Sequence, residues 1–389
     1  MSVGVALAMG LSLAAPATAG DRNWDDGSWD DESWQDSRHG GSWEDREPPE
    51  ARTIVDGLVA PALGLAVGSR RTVYVSQTFA GILTKVDRKG TRTDIVPSEP
   101  EGITGVDVGR RDRVTYLTGG WVKRLKPNGD ARVLNAVSLA DFEASANPDH
   151  VNSYGFQGLS DDCKADFPKP PDPPPPDAPP APTPDPYFGE VDSNPYAVAV
   201  LPHGGVVVAD AGGNTLVRVS RSGEVSTLAV LPPRPVKVTA EIAEAVHVPP
   251  CTVDSDYNLE PVPTDVEVGH DGMLYVSSLP GGPEDGSLGA RGAVFRVNPW
   301  DGQVKEIATG FVGAVDLALD DDGTIYVAEM FGGKITKVGR RGNRTVAELP
   351  FPGALEYANG KLYATTSGPF FGPPTDPPVT ASVVTIKVD

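Results

Sequence analysis

One pattern written twice in succession, from Pro263 to Val346, limits what this chain can become. The first copy reads Val266-Glu267-Val268, Asp271-Gly272, Leu274-Tyr275-Val276, Val294-Phe295-Arg296-Val297, Asp301-Gly302 and Val304-Lys305-Glu306-Ile307. The second reads Leu317-Ala318-Leu319, Asp322-Gly323, Ile325-Tyr326-Val327, Ile335-Thr336-Lys337-Val338, Arg341-Gly342 and Thr345-Val346-Ala347-Glu348-Leu349. Runs this short and this rich in Val, Ile and Tyr read as strands, and Gly-containing turns reverse the chain between most of them. Four antiparallel strands at a period of about fifty residues mark the blade of a β-propeller.

The same pattern recurs upstream and downstream. Gly64-Leu65-Ala66-Val67 opens a first blade, Gly105-Val106-Asp107-Val108 a second, Ala197-Val198-Ala199-Val200 a third and Ala354-Leu355-Glu356-Tyr357 a sixth. The sixth runs out of chain at Asp389 before a fourth strand, whereas Arg52-Thr53-Ile54-Val55 resembles the fourth-strand run Arg344-Thr345-Val346. An N-terminal strand therefore completes the last blade, which removes the open edges of a half-blade. The expected fold is all-β: a six-bladed β-propeller over 51–389, closed in this way, with irregular insertions at about 138–192 and 230–262. In the first insertion Ser138 to Asn147 reads as a short helix capped by Ser138. The twelve prolines from Phe167 to Tyr187 favour an exposed polyproline II spacer.

Residues 1–19 are an apolar run ending in Ala17-Thr18-Ala19, the mark of a cleaved signal peptide, although the basic n-region is missing. Residues 20–50 carry Trp24, Trp29, Trp34 and Trp43 among eleven acidic residues and three arginines, a composition expected to be disordered. The protein is thus expected to be secreted or extracytoplasmic, monomeric, and without a membrane span after cleavage. A formal charge of -20 argues against a nucleic-acid partner. The two cysteines, Cys163 and Cys251, lie one in each insertion, and an oxidising compartment favours a disulfide between them.

Aligning the first strands places Gly64, Gly105, Ala197, Asp265, Asp316 and Ala354 at one position near the central channel. Aligning the second strands places Gln77, Gly119, Asp210, Ser278, Glu329 and Thr366 at another. Asn194 and Glu101 precede two of the first strands. Asp210, Asp265, Asp316, Glu329 and Asn194 are candidate oxygen ligands for Ca²⁺ or another divalent cation. The competing expectation is that they satisfy backbone groups at turns or face channel water. There is no Gly-x-Ser-x-Gly elbow and no His-Glu-x-x-His helix, and the five histidines form no metal-ligand spacing.

Phe142-Glu143 with Asn147-Pro148, Asp192-Ser193-Asn194-Pro195-Tyr196, Ala209-Asp210-Ala211-Gly212-Gly213-Asn214 and Val262-Pro263-Thr264 resemble the ScyD/ScyE family of exported propeller proteins. The resemblance covers about Ala51 to Asp389; the proline run and the Trp-rich leader depart from it. It implies a fold and export but no established activity. The expected function is therefore a binding or interaction module, taking a small molecule or protein at the channel mouth. Two alternatives stand beside it. One is a metal-dependent hydrolase or lactonase: the candidate ligands resemble the Glu, Asn and Asp metal site of gluconolactonase-type propellers, although Glu101-Gly102-Ile103 departs from that family's Glu-Gly-Pro. The other is a structural part of a cell-surface assembly.

Overall fold

The computed structural model describes residues 50–126, 130–168, 182–282, 288–371 and 377–388. The expected signal peptide, nearly all of the acidic leader, the Asn128-Gly129 turn and most of the proline run lie outside the described residues. The described residues are 9% helix and 47% strand. Along the sequence come β1 (Arg52–Val59), β2 (Gly64–Val67), β3 (Val73–Gln77), β4 (Ile82–Val86), β5 (Arg92–Val96), β6 (Val106–Gly109), β7 (Arg113–Thr118), β8 (Trp121–Leu125) and β9 (Ala131–Val133). Helix α1 (Leu139–Ala146), β10 (Ser153–Gln157), α2 (Asp161–Ala165) and β11 (Tyr187–Phe188) follow. Then come β12 (Pro195–Val200), β13 (Val206–Asp210), β14 (Thr215–Val219), β15 (Val225–Val230), β16 (Arg234–Lys237), α3 (Ala240–Ala245) and β17 (Asp256–Leu259). The C-terminal part holds β18 (Pro263–Val268), β19 (Leu274–Ser278), β20 (Gly292–Val297), β21 (Val304–Phe311), β22 (Ala314–Leu319), β23 (Ile325–Glu329), β24 (Lys334–Lys337) and β25 (Arg344–Glu348). It ends with β26 (Leu355–Ala358), β27 (Lys361–Ser367) and β28 (Thr380–Lys387).

Five four-stranded sheets are simple meanders, β2 to β5, β6 to β9, β12 to β15, β18 to β21 and β22 to β25. A sixth has the order β1-β28-β27-β26, with Arg52 opposite Thr385 and Thr53 opposite Val384. The N-terminal strand therefore supplies the edge that the C-terminal three lack. Burial explains why these runs become strands. The second strands β3, β13, β19 and β23 are buried at every residue, so Val-Tyr-Val runs are covered on both faces. Outer strands such as β9 and β25 are mostly exposed and carry Arg, Thr and Glu.

The cores lie between successive sheets. Tyr74 and Val106 share a cluster across the first and second sheets, Leu117 and Val208 across the second and third, and Val207 and Val276 across the third and fourth. Val294 and Leu317 join the fourth to the fifth, and Ile335 and Leu362 the fifth to the sixth. A further cluster holds Val55 and Tyr363 of the sixth sheet with Leu65 and Val75 of the first.

The insertions differ from expectation. Rather than being irregular, they pair with each other into a seventh sheet, ordered β11-β10-β17-β16. Tyr154 lies opposite Tyr187, and Phe156 opposite Tyr257. Phe156, Val238, Ala243 and Val248 give this sheet a core of its own. The bond between Cys163 and Cys251 fastens one insertion to the other across 88 residues of sequence. Helix α1 begins as its sequence predicts, with the Ser138 hydroxyl accepting from the Asp141 N–H.

Two outcomes are expected. Deleting 51–58 should lower the melting temperature sharply, because it uncovers the β28 edge and removes the buried Val55 and Leu58, each contributing about 1.5–3 kcal/mol. Deleting 20–50 should leave the melt unchanged, and equal melts for both truncations would refute the pairing of β1 with β28. Replacing Cys163 and Cys251 together by Ser should cost about 2–5 kcal/mol in denaturant titration.

Candidate functional site

The residues at the ends of the second strands grip the chain that enters each sheet. Gln77 Oε1 accepts from the Val59 N–H at 2.6 Å, and Glu329 Oε2 from the Val312 N–H at 2.7 Å. The Ser278 and Thr366 hydroxyls donate to the carbonyls of Pro261 and Pro350. Asp210 Oδ1 accepts from the N–H groups of Asn194 at 2.7 Å and Gly213 at 3.2 Å, while Oδ2 accepts from the Ser193 hydroxyl at 2.7 Å. At Gly119 there is no side chain, and a Cβ there would fall 1.5 Å from Glu101 Oε2, so Glu101 fills that place. Glu329 Oε1 accepts from the Thr336 hydroxyl and has Lys334 Nζ at 3.7 Å. Asp210, Glu329 and Asn194 thus take part in the turn-fixing bonds that were the competing expectation for them.

Asp265 and Asp316 behave differently. Each follows a β-bulge at the start of its first strand, a device that re-aims a side chain. They come together with three carboxylates outside the two aligned columns, Asp107, Glu267 and Glu356. All five stand on first strands, on β6, β18, β22 and β26. Two positions beyond the aligned column, those strands and their neighbours carry Ala66, Asp107, Ala199, Glu267, Ala318 and Glu356. Acid and alanine alternate from sheet to sheet. That signal lay in the aligned sequence, one step along the face already in use.

These carboxylates also tie one first strand to the next. Asp107 Oδ2 accepts from the Val200 N–H at 2.6 Å, and Asp265 Oδ2 from the Leu317 N–H at 3.1 Å. Asp316 lies near the Leu355 N–H and beside Asp265, and its Oδ1 has no hydrogen-bond partner. Burial, followed by the other carboxylates, raises the pKa of Glu267 and Asp316 well above the ordinary range, and that of Glu356 likewise. Asp265 is pushed up to about 7, chiefly by burial. Arg124 partly offsets the rise at Asp107. Asp107, Glu267 and Glu356 remain half-buried, so the cluster still meets solvent. Neutral carboxyls of this kind release protons when a positive group arrives.

An aromatic group stands at the end of the sheets where second strands stop and first strands begin. Phe331 and Phe371 are 6.1 Å apart, Phe370 and Phe371 3.9 Å, and Phe351 and Phe370 6.4 Å, measured between ring centroids. All four are half-buried. Asp265 and Asp316 sit near the same end of their strands.

The four quoted motif segments also converge. The Asn214 amide donates to Asp149 Oδ2 at 2.9 Å and to Glu260 Oε2 at 3.1 Å, and its carbonyl accepts from the Val262 N–H at 3.0 Å. Glu143 lies close enough to Asp210, Asp149 and Asp192 to feel their charge. Among the described residues no three His, Cys, Asp or Glu side chains are grouped so as to hold a metal ion, and no helix is long and apolar enough to cross a membrane.

No protein-family model and no curated protein matches the sequence. Solved structures do resemble the fold. A gluconolactonase from Xanthomonas campestris is 13% identical, with 87% of this chain and 96% of that chain covered and a TM-score of 0.50. A luciferin-regenerating enzyme is 11% identical, with coverage of 87% and 95% and a TM-score of 0.51. Virginiamycin B lyase from Staphylococcus aureus is 14% identical, with coverage of 81% and 82% and a TM-score of 0.45. At these identities the first two show a shared β-propeller-like fold and nothing of the chemistry.

The carboxylate cluster makes stability depend on pH. The native state holds the Asp265 proton up to about pH 7, whereas the unfolded chain loses it near the ordinary value of about 3.9. Between those values the native state holds this extra proton, so the Asp265 contribution to stability falls as pH rises and is fully lost above about pH 7. Asp265→Asn keeps an acceptor for the Leu317 N–H and removes the titration. It should lessen the fall in melting temperature between about pH 4 and 7, leaving the part that belongs to Glu267, Asp316 and Glu356, and raise the melting temperature at pH 8, read by thermal melts across that range. An unchanged slope would place Asp265 in an ordinary aqueous setting.

Proposed function

We propose that this chain is an exported six-bladed β-propeller of the ScyD/ScyE type that acts as a binding module, taking the cationic group of its ligand into the acid-lined channel. The observation that carries this reading is the cluster of Asp107, Asp265, Glu267, Asp316 and Glu356 on the first strands. Such carboxyls gain most from a positive partner, since it relieves both their mutual repulsion and their poor solvation. The half-buried Phe331, Phe351, Phe370 and Phe371 at the same end suit a ligand with an apolar body beside its charge. Six blades are supported by the six sheets whose apolar clusters run in cyclic order, and closure by the pairing of β1 with β28. Export is supported by the bond between Cys163 and Cys251.

Calorimetric titration with spermidine at pH 7 tests the channel. Binding is expected with proton release, and Asp265→Asn combined with Asp316→Asn should weaken it at least about tenfold. Equal binding by the double variant would move the site elsewhere. A panel of lactones and esters, run with Ca²⁺, Mg²⁺ and Zn²⁺, tests the lactonase alternative; turnover abolished by the same double variant would replace the binding reading with it.

A further inference from the structure

Four side-chain oxygens at the junction between the insertions and the third sheet have no hydrogen-bond partner although they are buried: both carboxylate oxygens of Glu143, Asn147 Oδ1 and Asp149 Oδ1. Glu143 and Asp149 are each only 1% exposed. Glu143 stands on α1, Asn147 ends it in the left-handed conformation with φ 36°, and Asp149 follows in a short 3-10 turn. Within seven residues the chain thus turns three oxygen-bearing side chains inward. Glycines make the room. A Cβ on Gly213 would come 3.0 Å from Glu143 Oε2 and 3.4 Å from the Asp192 carbonyl oxygen. One on Gly212 would come 3.0 Å from Asp192 Cγ, and one on Gly189 2.1 Å from Asp149 Oδ1. The other polar atoms here are already engaged: the Asn147 amide donates to the Gly189 carbonyl at 3.0 Å, and Asp149 Oδ2 accepts from Asn214 at 2.9 Å and from the Tyr154 hydroxyl at 3.3 Å.

A buried acceptor without a partner costs about 1–3 kcal/mol, and more when charged. A proton on Glu143 would give one donor for four acceptors. A hard cation between them would supply the missing partner to both residue types, since it takes oxygen from carboxylate, amide and backbone alike, and Asp149 lies close enough to Glu143 for its charge to be felt there. The set is irregular, and Glu143 offers both of its oxygens. That favours Ca²⁺ over Mg²⁺, which demands near-octahedral geometry and keeps its waters. We propose that Glu143, Asn147 and Asp149 hold a Ca²⁺ ion that fastens the insertion sheet to the third sheet, at a site separate from the channel carboxylates. Its affinity belongs with extracellular modules, about 10⁻⁴–10⁻³ M.

The full chain, freed of metal by chelator, is titrated with Tb³⁺, whose emission is sensitised by nearby tyrosine. Tyr154 bonds to Asp149 and Tyr187 packs on Tyr154 with ring centroids 5.7 Å apart. Sensitised emission is expected, displaced by Ca²⁺ and weakly by Mg²⁺, with a melting temperature that rises with Ca²⁺. Glu143→Gln should weaken the Ca²⁺ response at least about tenfold, whereas Asp265→Asn should leave it intact. Gly213→Ala, which crowds Glu143 without removing it, should weaken it too and serves where Glu143→Gln fails to fold. Equal responses from wild type and Gly213→Ala overturn the proposal, as does a Ca²⁺ response surviving in folded Glu143→Gln. It is also overturned if Glu143→Gln stabilises the metal-free protein while Ca²⁺ does nothing, which would mean a protonated or hydrated carboxyl. Spermidine binding does not depend on this site, so the two readings fail separately.

Discussion

A sheet whose second strand is buried on both faces cannot stand at the end of a row. The Val-Tyr-Val runs of β3, β19 and β23 need apolar cover on both sides, and a neighbouring sheet provides it. The Val55–Leu65 cluster gives the sixth sheet and the first such cover from each other. Other features follow from it. The outer strands are left to solvent and carry charge. The first strands are brought side by side, and carboxylates such as Asp107 and Asp265 bridge to the next strand's N–H. The chain entering each sheet, whether from a short turn or from an insertion, must be pinned, which is the task of Gln77, Asp210 and Glu329.

Much of this was legible because it is local. Strand and turn chemistry repeat with little change, and the Arg52-Thr53-Ile54-Val55 run matches a fourth strand closely enough to reveal where the last sheet gets its edge. The insertion sheet was not legible. Its strands are two to five residues long and are paired across about a hundred residues, as Gly155 with Asn258, so neither half carries a period of its own. The helix opened by Ser138 and the pairing of the two cysteines were legible, and the structure contains both.

The chemistry was legible in part. The aligned first strands pointed to Asp265 and Asp316, and the structure places them together. Asp210 and Glu329 were read from the same kind of alignment, but their oxygens are occupied by backbone and hydroxyl donors. No alignment of repeats separates a carboxylate that fixes a turn from one that faces its own kind, because both need the same residue at a strand end. Asp107, Glu267 and Glu356 could have been found by reading two residues further. The orphaned oxygens of Glu143 and Asp149 could not, since they depend on three glycines elsewhere in the chain.

The disulfide encloses more than the insertions. The whole third sheet, β12 to β15, lies between Cys163 and Cys251, together with the proline run that precedes it. A protease that cut once anywhere in this stretch would sever the backbone without separating the pieces. Both ends would stay tethered beside the seventh sheet, at a local concentration far above that of any competing chain. The proline run is thus enclosed in a covalent loop, where a nick is a scar and not a loss.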